Sequence, residues 1–362
     1  MNRNLVAIAA GSTAVILCAL AWRMHPAAFL AAYLAAWWFW IGIALGGLAN
    51  VWLHNLTGGA WGEAIRAPLL EIGRSTWIAA LLFLPLLAGM HSLYPWAAQA
   101  GDGAFRWAGE LAAPGFKDVW LTPGFFLARS VAYLALWSVL ALLAQRPALR
   151  RSKPFSALAL ILYGFSVSLA AVDWIMSLIP VWYSSVFGWL AGTGQMLAGM
   201  ALATVLAARA RPPVVPGILR DLGNLLLMYV MTWAYLGFTQ FLIIWAENLP
   251  HEIAWYLPRL QGGWLVMAWM LTLCLFAAPL LLLLSRQAKQ SPRVMGALAA
   301  ALLVMQLIDC WWLILPSVPV PGAVWFWIAP LALAGLGIAA WLLWPYRSLS
   351  LKPPQANGAQ HG

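Results

Sequence analysis

Charge is scarce in this chain. Asp, Glu, Lys and Arg together make up 8% of its 362 residues, too few to give a soluble globule its polar shell. Cysteine is scarce as well. Cys18, Cys274 and Cys310 sit singly in apolar runs, which excludes a CxxC metal or redox motif, a CxxCH haem attachment and a disulfide framework, and leaves them as small core residues. The five histidines are His25, His54, His91, His251 and His361. No two of them fall at one level inside apolar runs, so a haem held between two membrane histidines is excluded as well. A small-x-small cleavage site is missing before Trp22 and Arg23, so residues 1–22 read as a first membrane span and not as a secretory signal.

Apolar sequence is what the chain has in quantity: 64% of residues are hydrophobic and the mean hydropathy is +0.83. Ten runs near the roughly 20 residues needed to cross a hydrocarbon core cover 5–22, 29–53, 72–91, 122–144, 155–179, 183–208, 222–246, 262–285, 294–315 and 322–344. The runs are continuous rather than alternating, and unpaired backbone is costly in lipid, so each reads as a helix and not as a barrel strand. The expected fold is an all-α polytopic membrane domain of ten helices over residues 1–346. The Pro-, Gly- and polar-rich tail 347–362 is expected to be disordered.

The net charge of +10 suggests nucleic acid until its distribution is read. With ten spans, one set of loops and both termini hold Arg3, Arg66, Arg74, Arg146, Arg150, Arg151, Lys153, Arg209, Arg211, Arg220, Arg286, Lys289, Arg293, Arg347 and Lys352, against Arg23, Arg106, Lys117 and Arg259 opposite. Fifteen against four is the positive-inside pattern, with both termini cytoplasmic and membrane lipid, not nucleic acid, as the surrounding partner.

Once the loops are set aside, the clearly intramembrane charges are Arg129, Asp173 and Asp309. On insertion scales each costs roughly 2.5 to 3.5 kcal/mol at a helix centre, so each is expected to face the bundle interior with a partner or a wet cavity. Asp173 precedes Pro180 by seven residues and Asp309 precedes Pro316 by seven. With Arg129 the same distance past Thr122, all three lie roughly 10 Å below the outer surface at 1.5 Å rise per residue. His91 and Glu247 at the outer helix ends, and Gln240 one to two turns deeper, extend the group outward. Tyr163, Ser166, Asp173 and Ser177 share one helix face, and Thr232, Tyr235 and Thr239 form a second polar set. Serine and threonine in such positions more often pack or bond back to their own helix. Asp309 has no arginine at its level in its own half, so it must hold a proton, share Arg129, or bond to Gln306 or Gln240.

The matched segments DWIMSLIP (173–180) and DCWWLILP (309–316), with PGFFLARS (123–130) against QGGWLVMA (261–268), suggest an internal repeat. Helices 2–5, about 29–180, and helices 6–9, about 183–316, then form two tandem four-helix bundles of one orientation, with helices 1 and 10 flanking. The tryptophans read mainly as anchors and packing groups, although WWFW (37–40) is also suited to line a quinone-sized cleft.

At GMHSLYPW (89–96), VDWIMSLIPVWYSSVFG (172–188), RDLG (220–223) and WAYLGFTQFLIIWAENLPHE (233–252), the chain resembles the NrfD/PsrC-like membrane proteins. Among them it is similar to the ActF-type subunit (quinone-binding subunit 2) of bacterial alternative complex III, a quinol:cytochrome c oxidoreductase. The similarity runs from about the second span to the ninth. It implies a ten-helix subunit of a bacterial inner membrane with no cofactor of its own, in a complex that works on quinone and quinol. The implied partners are a second NrfD-like subunit, an iron–sulfur subunit and a multihaem cytochrome c. By resemblance Asp173 occupies the family's Asp-Trp motif, His91 the histidine after the third helix, and Glu252 the acid after the Asn-x-Pro turn. Where the family reads close to SLDPHW, this chain has Ile179 and Val181, so an acid and an imidazole are missing from the outer mouth. Two other classes fit the same residues: a proton-coupled secondary transporter using Asp173 or Asp309, and a membrane scaffold with a structural ion pair.

Overall fold

The computed structural model describes residues 3–98, 119–211 and 213–343. The tail 347–362 and most of the long 92–121 connection, including Arg106 and Lys117, lie outside the described residues. Ten main helical segments follow one another among the described residues: α1 (Arg3–Met24), α2 (Pro26–Thr57), α3 (Ala60–Ala88), α4 (Pro123–Leu143), α5 (Lys153–Trp174), α6 (Phe187–Ala208), α7 (Pro216–Glu247), α8 (Gly262–Leu284), α9 (Pro292–Ile314) and α10 (Gly322–Leu343). Among the described residues, α2 to α10 are long and apolar enough to span a membrane, and α1 adds an apolar stretch over Thr13–Met24. No strand occurs among them. The chain is an all-α polytopic membrane protein.

Helices α2 and α6 form the centre. α2 packs against α3, α5, α6, α9 and α10, and α6 against α5, α7 and α9, whereas α8 is held mainly by α7 and α9. In the most apolar window of α2, 94% of residues are buried, so it is core rather than lipid-facing. Lipid tails are as apolar as leucine, so this centre is held by close packing and not by exclusion of water. Glycine permits the packing. A Cβ at Gly46 would stand 1.8 Å from the Gln195 carbonyl oxygen, and one at Gly199 2.3 Å from the Gly47 nitrogen. The α2 and α6 backbones therefore touch at positions where no side chain fits.

The third span differs from the single run expected over 72–91. It begins at Ala60, contains Pro68, and breaks after Gly73 and again before Pro85 into Ala60–Gly73, Thr76–Leu81 and Leu84–Ala88. Proline and glycine interrupt the backbone ladder, and in a membrane the freed carbonyls must be satisfied by neighbours. They are. Gln145 donates to Leu70 O, Ser75 to Ile72 O, Thr76 to Gly73 O, Trp37 to Ala79 O and Tyr33 to Leu82 O, all at 2.7 to 2.8 Å.

Helices α5 and α9 share one ending, each passing into a single 3-10 turn, Met176–Leu178 and Leu315–Ser317. The α5 carbonyl of Trp174 is capped by the Tyr94 hydroxyl at 3.0 Å. In α8 a π-helical stretch, Leu271–Ala277, runs up to Pro279, whose missing N–H cannot continue the α ladder.

Candidate functional site

The apolar α4 and α5 bring Arg129 and Asp173 together at the end of the bundle where α5 terminates. The carboxylate is fully buried and the guanidinium nearly so. Arg129 Nε donates to Asp173 Oδ2 at 2.8 Å and Nη2 to Oδ1 at 3.0 Å, a two-pronged pair. Trp120 Nε1 and the Tyr133 hydroxyl supply two more donors at 2.7 and 2.9 Å. The guanidinium carbon lies 4.0 Å from the centre of the Trp120 ring and 4.3 Å from that of Phe125, in the corner between two rings set at 86° to each other, and these cation–π contacts suit a charge removed from water. Asp173 is thus an ion held by four donors. Tyr133 follows Arg129 by one helical turn, and that spacing was readable in the sequence. Trp120 lies beyond the run that defined the helix, and only the folded chain identifies it.

Asp309 is built differently. It is 4% exposed on α9, and Trp233 Nε1 on α7 donates to its Oδ2 at 3.2 Å. Of the expected partners, Arg129 is committed to Asp173, and Gln240 is engaged with Ser184 and Tyr256. Asp309 forms no ion pair among the described residues. It lies between two cavities. One, of about 550 Å³, is bounded by α6, α7, α8 and α9 and open to the outside, and its wall includes the lipid-exposed Tyr235 and Phe238, the π stretch of α8, Gln240 and Tyr256. Burial pushes the Tyr256 phenol up to about 12, so it stays protonated at neutral pH. The second, of about 10 Å³, lies on the α2 and α6 side among Gly42, Gly194, Gln195 and Gln306.

The remaining expected residues do not join one chain. Ser177 bonds back to the Asp173 carbonyl of its own helix, and Ser166 links Trp137 Nε1 to the Tyr163 carbonyl. His91 is exposed and bonds to Ala97 O at 3.0 Å, and Glu247 is exposed at the end of α7. Glu252 is buried, with Oε2 lacking a hydrogen-bond partner. Thr232 bonds back to Met228 O, and Tyr235 faces outward, so the second polar set does not line the interior. Trp37, Phe39 and Trp40 line an apolar cleft of about 730 Å³ bordered by α3, α6, α9 and α10, and both Trp37 and Trp38 meet Trp174 edge-on.

Three polar clusters escaped the sequence reading. Arg259, counted there as a loop charge, is fully buried. It donates to the Trp255, Trp312 and Leu313 carbonyls and to Ser317, and stacks 3.6 Å over Trp255. It therefore caps the last turn of α9, where backbone carbonyls lack partners and the helix dipole is negative. Its signal was the i,i+4 pair Trp255–Arg259 in the connection between α7 and α8. At the opposite end Arg66 is buried, bonding to Asn55, His54 and Glu63, while Arg151 chelates Glu63. Asn50 on α2 bridges Met196 O and the Tyr229 hydroxyl, and Gln195 accepts from the Tyr163 hydroxyl at 3.2 Å. Lone amides in apolar runs were the available signal.

No family model and no curated protein matches the chain.

Proposed function

We propose that this protein is an integral subunit, without a redox centre of its own, of a quinol-oxidising respiratory complex of the alternative complex III type in a bacterial inner membrane. In this reading both termini are cytoplasmic, electrons pass through an iron–sulfur subunit and a multihaem cytochrome c beside a second NrfD-like subunit, and this chain handles protons. The observation that carries the proton role is the contrast between its two buried carboxyls. Asp173 is held by Arg129, Trp120 and Tyr133, with four donors on its two oxygens. Asp309 has one indole donor, no ion-pair partner among the described residues, and a cavity on each side. An intramembrane carboxyl of that kind exchanges protons where a paired one stores charge. The 550 Å³ cavity beside it gives a quinol-sized, lipid-accessible surface. The respiratory context is supported by the motifs at 89–96, 172–188, 220–223 and 233–252.

A tagged full chain purified from its native membrane is expected to bring down a haem-bearing partner and an iron–sulfur partner, with quinol:cytochrome c activity. Isolation as a lone, inactive chain would overturn the assignment. The saturated bonding of Asp173 favours a second reading, a purely structural subunit, in which replacing Asp309 leaves every activity of that complex unchanged.

A further inference from the structure

The small cavity on the core side of Asp309 is lined by groups that ask for a ligand. Gln195 and Gln306 are 3% and 2% exposed, and Nε2 of each has no hydrogen-bond partner. Gln195 already uses Oε1 to accept from Tyr163, and turning its amide over would only move the unmet end from nitrogen to oxygen. An unpaired buried amide costs about 1 to 3 kcal/mol, so two beside one cavity are not a packing accident. The cavity, about 10 Å³, has room for the centre of one water, and a buried water needs two to four polar partners. Two glycines keep it open. A Cβ at Gly194 would come within 2.9 Å of Gln306 Oε1 and 3.8 Å of Asp309 Oδ2, and one at Gly42 within 3.0 Å of Gln195 Cγ.

We propose that one water binds between Gln195, Gln306 and Asp309, and that the Asp309 carboxyl exchanges its proton with the bundle core through it rather than through the lipid-side cavity. The position suits this. Asp309 lies five residues before the end of α9, whereas Tyr163 lies eleven before the end of α5, so the Gln195–Tyr163 bond leads about 9 Å deeper into the bundle at 1.5 Å per residue. The inference rests on the proton-handling part of the proposed function and not on the identity of the complex.

Two measurements test it on the purified full chain. A density map that resolves waters is expected to show one between the two amides and the carboxyl, and its absence overturns the site. Infrared spectroscopy during a change from H2O to D2O follows the Asp309 carboxyl, identified by the band that Asp309→Asn removes. Gly194→Ala, which fills the cavity, is expected to slow exchange about tenfold, the rate equivalent of one lost hydrogen bond. Ala268→Phe, which fills the lipid-side cavity, is expected to leave the rate unchanged. Unchanged exchange in Gly194→Ala, or slowing confined to Ala268→Phe, refutes the core route. If Gly194→Ala does not fold, the pair Gln195→Leu with Gln306→Leu removes the partners of the water without adding bulk at the helix crossing. A failed water site leaves the role of Asp309 itself to be decided by proton uptake.

Discussion

Replacing Asp173 by asparagine is expected to harm the protein more than replacing both members of its ion pair. The substitution preserves shape but removes the charge and turns one acceptor oxygen into an NH2 group that faces donors. Asp173 accepts from Arg129 twice and from Trp120 and Tyr133, so at least one of these bonds becomes a donor–donor clash. Arg129 is left as a cation 8% exposed whose Nη1 has no partner to fall back on. Breaking a buried pair from one side typically costs about 3 to 5 kcal/mol. The double change with Arg129→Gln removes both charges and lets the two amides bond to each other, so the expected coupling is about 2 to 3 kcal/mol in the direction of rescue. Reversible unfolding of the four proteins in mixed micelles measures it. Costs that add to within about 0.5 kcal/mol would refute direct charge pairing as the reason for these residues.

Gly46→Ala is expected to lose at least the roughly 1 to 3 kcal/mol of an overpacked core, because its Cβ would stand 1.8 Å from backbone, whereas Gly124→Ala, with nothing within 4 Å, is expected to be neutral or stabilising in the same unfolding assay. Arg259→Leu strips partners from four acceptors, three of them at the end of α9 and one the Trp255 carbonyl, and is expected to cost about 3 kcal/mol or more. Arg259→Lys should recover only part of that, since an ammonium cannot reproduce the planar fork; equal stability of both variants would contradict the capping role. For orientation, a cysteine at Gly103 should label from outside intact cells and one at Ser152 should not, and the reverse pattern would invert the topology.

Helix number and class were legible in the sequence because the bilayer imposes a length and forbids unpaired backbone, so nearly every run became a helix. The breaks in α3 were less legible, although Pro68, Gly73 and Pro85 were in view. Whether a broken membrane helix is tolerated depends on distant donors such as Tyr33, Trp37 and Gln145. In the candidate site, rarity marked Arg129, Asp173 and Asp309, because a charge in lipid is conspicuous. Trp120, Trp233 and the amide of Gln195 were hidden by the same logic: tryptophan and a single glutamine are unremarkable in an apolar run until folding places them beside a carboxyl or its cavity, and Gln306 was in view only because it shares a helix with Asp309. Arg259 was misjudged because a basic residue between two spans ordinarily sets orientation, and only the carbonyls of α9 show that this one is enclosed.

The central claim is that Asp309 carries protons while Asp173 holds the bundle together. The most direct test is proton uptake per electron during quinol oxidation by the complex containing this chain, purified and sealed into lipid vesicles. Asp309→Asn is predicted to lower that ratio while electron transfer continues, and the Asp173→Asn, Arg129→Gln double variant is predicted to keep it. An unchanged ratio in Asp309→Asn, with electron flow intact, would contradict the account.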